Sequence, residues 1–144
     1  EDFAVTYPDS AWTPSVLTNL GLAYRRRGYF SRALRVWEEA WTLTSHLEDA
    51  TGRAVAERAV GELAQLLSRL GRYERLEPLL AELSGRDLSG TATQKVESAV
   101  QGLWLMESEP GLSFRCGPMA LSTLHAHRPP GQHHLHLGVT VHGV

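Results

Sequence analysis

Apolar positions recur at helical spacing along the first three quarters of the chain. Thr13-Pro14-Ser15 opens a segment in which Val16, Leu17, Leu20 and Tyr24 follow a 3.6-residue period. The pattern breaks at Gly28 and resumes through Ala33, Leu34, Trp37, Ala40, Trp41 and Leu43. A second pair follows, from Gly52 to Leu70 and from Tyr73 to Leu83, divided by Gly71. Pro78 requires its helix to start close by, since proline is tolerated only in a first turn. A fifth helix is expected from Thr93 to Met106, capped by Thr91 or Thr93.

Past this point the pattern changes. Pro118 to His125 suits a short helix, ended by Pro129-Pro130-Gly131. Leu135, Leu137, Val139 and Val141 then alternate with His134, His136, Gly138, Thr140 and His142, the period of a strand. That strand is an edge strand or the start of a sheet. Charge also changes here: dense, mixed charges run from Arg25 to Asp87, whereas no acidic residue follows Glu109. The expected division is therefore residues 1–109 as helical repeats and 110–144 as a tail or the beginning of a second domain, with Pro110-Gly111 as the break.

Composition sets outer limits. The chain has 144 residues, a formal charge of −2 and 42% apolar residues, which excludes a disordered chain. No apolar run approaches the roughly 20 residues of a membrane span. Near-neutral charge excludes bulk nucleic-acid binding. One cysteine excludes a disulfide framework. No signal peptide is visible, which leaves the compartment open with a slight lean to the cytoplasm, and Glu1 in place of Met points to a fragment or a processed product.

Glycine-split helix pairs call for comparison with repeat templates. Leu17, Leu20-Gly21, Tyr24, Gly28, Phe30, Ala33, Trp37 and Ala40 stand in one register. They resemble the tetratricopeptide repeat, a unit of about 34 residues built as a helical hairpin. Aligning Gly71 with Gly28 places Ala64, Leu67, Tyr73, Leu76, Leu80 and Leu83 at the same offsets, although the two glycines stand 43 residues apart. About nine residues more than the template allows must be absorbed in between. Phe3 to Pro8 reads as the tail of a preceding repeat.

The resemblance covers roughly residues 1–107. It implies an all-α, right-handed solenoid whose first helices line a concave face that binds peptides or other proteins. The matching positions are Ser15, Thr18, Leu22, Arg25 and Arg26, then Arg58, Gln65, Ser68 and Arg69. Arginines there could pair with an acidic partner. The plainer reading is that Arg25-Arg26-Arg27 is a solvated helix end favoured by the dipole.

Phe114-Arg115-Cys116-Gly117-Pro118-Met119-Ala120-Leu121 is the second informative string. A thiol at the first residue of a helix meets free N–H groups and the positive dipole end, which lowers its pKa. The string is similar to the nucleophile motif of double-glycine leader peptidases, which are papain-like. That likeness implies Cys116 as nucleophile. Three departures stand against it: Pro110 occupies the oxyanion position, only 28 residues follow Cys116, and no Asp or Asn follows Asp87. The alternative is a buried packing cysteine. His125, His127, His133, His134, His136 and His142 lack a carboxylate or second thiol to complete a zinc set, so no metal or other cofactor is expected.

Three functions compete. The leading one is a scaffold that docks a partner protein or peptide. The second is a repeat region fused to a truncated papain-like cysteine peptidase, inactive over this length. The third is a structural spacer. The fold class does not choose among them.

Overall fold

Each hairpin turns on a glycine with a left-handed backbone, and the two turns are copies of each other. The computed structural model describes residues 2–8, 10–109 and 111, which form the helices α1 (Asp2–Thr6), α2 (Thr13–Arg26), α3 (Phe30–Thr44), α4 (Ala50–Arg69), α5 (Tyr73–Leu83) and α6 (Gly90–Ser108). Gly28 has φ +80° and Gly71 has φ +63°. After α2, the Gly28 N–H donates to Arg25 O at 3.1 Å and the Tyr29 N–H to Tyr24 O at 2.9 Å. After α4, the Gly71 N–H donates to Ser68 O at 3.1 Å and the Arg72 N–H to Leu67 O at 2.9 Å. Both are Schellman closures, which satisfy end carbonyls and turn the chain sharply. No strand occurs among the described residues.

The repeat register holds in the packing. Trp37 and Ala33 of α3 are fully buried, and Leu17 of α2 is nearly so. Trp37 alone removes roughly 150–250 Å² from water, about 4–6 kcal/mol of transfer free energy before entropy is counted. Its Nε1 donates to Thr18 O at 3.0 Å, so the indole leaves no orphan polar atom. Tyr24 is half-buried and packs against both core clusters. In the second hairpin Ala64, Leu67, Leu76 and Leu83 are buried, and Tyr73 and Leu80 are half-buried. One cluster runs without a break from Ala33 and Trp37 through Val60 and Leu63 to Leu76 and Ala99. The hairpins and α6 therefore share one core, as stacked repeats do.

The extra length in the second unit lies mostly in α4, which has 20 residues against 14 in α2. It begins at Ala50 instead of Gly52 because Asp49 caps it, accepting from the Gly52 N–H at 2.8 Å. α6 likewise begins earlier than expected, at Gly90 with Ser89 in the cap position, and neither Thr91 nor Thr93 caps it. Ser89 Oγ donates to Glu57 at 2.5 Å, and Thr93 Oγ1 donates back to Leu88 O at 2.7 Å. Pro78 is not in the first turn of α5 but inside the helix. Pro78 and Glu74, whose carbonyl loses a partner, are both exposed, so water can hydrate the gap.

The short helix over 118–125, the strand over 134–142, Cys116 and the six late histidines lie outside the described residues.

Candidate functional site

α4 is the middle helix of three. It packs against α6 along one side and meets α2 near the other. Small residues permit the α4–α6 approach: a Cβ on Gly61 would come within 3.2 Å of Ala92 Cα, and one on Gly102 within 2.0 Å of Ser68 Oγ. Along α4, Arg58, Glu62, Gln65 and Arg69 follow at helical spacing and form one stripe. α2 presents Leu22, Arg25 and Arg26 toward its C-terminal end, and the whole helix carries no acidic residue. α6 contributes Lys95.

Glu62 ties the three helices together. It is 5% exposed, buried well beyond the norm for a carboxylate. Arg25 Nη1 from α2 donates to its Oε2, and Lys95 Nζ from α6 donates to its Oε1 at 2.6 Å. The two cations remain about a quarter exposed above it. One negative charge thus faces two positive ones, and each cation keeps donors that no described residue accepts from.

The residues expected to contact a partner do not share one environment. Thr18 is 2% exposed, with its hydroxyl donating to Pro14 O at 2.8 Å, so its place is the interior. Leu22 is half-buried and leans on the main core. Arg26, Arg58 and Arg69 are exposed and form no ion pair among the described residues, while Gln65 and Ser68 are half-buried on the same side of α4. Arg25 is an ion-paired residue rather than a solvated one. Sequence reasoning missed Glu62 and Lys95; the available signals were Glu62 lying four residues from Arg58 and Lys95 being the single lysine of the chain.

A recess of about 620 Å³ lies elsewhere, between the end of α3, the start of α4 and the linker before α6. Its charges are mixed: His46, Arg53 and Arg86 against Glu48, Glu57 and Asp87. Arg86 already covers the Trp41 ring at 5.0 Å and donates to Ser45 O at 2.8 Å. This recess lacks the one-sided charge of the three-helix face. Among the described residues no group of three or more His, Cys, Asp or Glu is placed to hold a metal. None of the described helices is long and apolar enough to cross a membrane. Cys116 lies outside the described residues.

No curated protein and no solved structure matches the chain. Residues 16–51, which run from the first turn of α2 through α3 into the start of α4, match the family model of the tetratricopeptide repeat. The matched segment, the buried Gly21–Trp37 contact and the left-handed turn at Gly28 together make α2 and α3 similar to a tetratricopeptide repeat, a module that generally mediates protein–protein interaction.

Proposed function

We propose that the chain is a docking scaffold that captures an acidic segment of a partner protein on the face of α2, α4 and α6. The observation that carries this reading is the surplus of cations. Arg26, Arg58 and Arg69 stand exposed and without an ion pair among the described residues, and Arg25 and Lys95 share a single carboxylate. Exposed charges of one sign steer an oppositely charged partner and set its orientation. Arginine adds a planar fork that grips carboxylates in pairs.

The test is a titration of a fluorescent glutamate-rich peptide against the wild-type chain and an Arg26→Glu, Arg69→Glu double variant. The wild type should bind with an affinity that falls steeply between low and physiological salt. The variant should bind at least tenfold more weakly and lose most of that salt dependence. Equal binding by the two proteins, or no binding by the wild type, would remove the proposal.

A further inference from the structure

We infer that Glu62 is an internal stand-in for the partner's carboxylate: Arg25 and Lys95 form an anion-receiving site that the protein fills with its own side chain. This rests on the acidic-partner reading and adds a site and a regulation to it. Three observations support it. Arg25 and Lys95 come from helices separated by α4, yet their charged ends converge on the two oxygens of one carboxylate. Glu62 reaches them from below, 5% exposed, whereas both cations open outward at about a quarter exposure. The charge count leaves one cation's worth of attraction unspent, and both cations keep donors that no described residue accepts from.

A carboxylate arriving from solvent would therefore meet Arg25 and Lys95 end on and Glu62 beyond them. It would gain two charge-assisted donors and suffer repulsion from Glu62 across a partly dry gap, where charges act at longer range than in water. Glu62 lowers affinity while keeping the two cations ordered and the three helices bound together. The ligand class is a carboxylate side chain on an acidic peptide, held by Arg25 and Lys95 and flanked by Arg58 and Arg69.

The deciding experiment titrates a hexaglutamate peptide against wild type, Glu62→Gln, and Glu62→Gln combined with Lys95→Gln, with circular dichroism to check helicity. Glutamine keeps the shape and one acceptor while removing the repelling charge. Glu62→Gln should bind at least tenfold more tightly than wild type, and that gain should vanish when Lys95→Gln is added. Equal or weaker binding by a helical Glu62→Gln protein overturns the inference but leaves the acidic-partner reading in place. Binding by neither protein overturns both. If Glu62→Gln loses its helical spectrum, Lys95→Gln alone decides: with only Arg25 left beside Glu62, binding should fall at least fivefold, and unchanged binding overturns the inference.

Discussion

Gly21 and Trp37 occupy space that only one side chain can fill: a Cβ on Gly21 would lie 2.2 Å from Trp37 Nε1 and 2.5 Å from its Cε2. Neither partner can move away, since Gly21 and Trp37 are both buried and the indole is anchored on Thr18 O. Gly21→Ala should therefore destabilise the chain by about 1–3 kcal/mol net, despite the roughly 1 kcal/mol that alanine gains over glycine in a helix. Gly102→Ala is the contrast. Its added Cβ meets Ser68 Oγ, a side-chain end that can rotate, so the cost should be well under that of Gly21→Ala. Urea unfolding of both variants would check the order.

The hairpin turns test a different property of glycine. Around Gly28 there is open space, so a Cβ meets nothing, but φ is +80°. Gly28→Ala should cost about 1–2 kcal/mol through backbone strain alone. Gly28→Asn should cost less, because asparagine tolerates the left-handed region. Equal losses for alanine and asparagine would show that the turn can relax to negative φ.

The hairpins were legible in the sequence because the repeat offsets encode contacts between neighbouring helices. Leu17, Gly21, Tyr24, Ala33 and Trp37 sit within a single hairpin, and spacing determines which of them face inward. The site was less legible. Arg25, Glu62 and Lys95 meet across three helices, with partners 33 and 37 residues apart. Periodicity assigns a residue to a face but does not say how deeply the next helix covers it. Glu62 was therefore missed, since nothing in its local spacing signals that a lysine from α6 and an arginine from α2 close over it. Thr18 erred in the same direction: its hydroxyl is satisfied by its own helix, which lets it pack as a small apolar residue. The starts of α4 and α6 were misread because Asp49 was available as a cap and Ser89 is held by Glu57.

Tyr73 provides a pH-dependent link between α5 and α6. Its hydroxyl donates to Glu107 Oε1 at 3.0 Å, and this hydrogen bond, with some desolvation and the negative charges of Glu77 and Glu107, raises its pKa above the usual 10.0. A group whose folded pKa is raised contributes stability below its unfolded pKa, and that contribution is lost as pH rises through the folded value. The Tyr73 contribution should thus be intact at neutral pH and disappear above pH 10. In an ultraviolet titration of the four tyrosines, Tyr73→Phe should remove a late-titrating component. Loss of an early component would contradict the assignment.

Two ion pairs bridge successive hairpins at the same sequence separation, 37 residues, yet burial makes them unequal. Arg75 on α5 reaches Glu38 on α3 with both side chains more than 40% exposed. Such a pair gains little over hydration, so Glu38→Gln should change stability by less than about 1 kcal/mol, and less still at high salt. Glu62 is different because water cannot replace it. Glu62→Leu removes the one carboxylate that, among the described residues, pairs with both Arg25 and Lys95, and leaves two facing cations, each partly desolvated. Breaking a buried pair typically costs about 3–5 kcal/mol; the quarter exposure of both cations reduces this to about 1–3 kcal/mol through solvent screening. Adding Arg25→Leu should recover part of the loss by removing one unpaired charge, a non-additive result in a double-mutant cycle. Strict additivity of the Glu62 and Arg25 changes would mean that the two charges do not stabilise each other in solution.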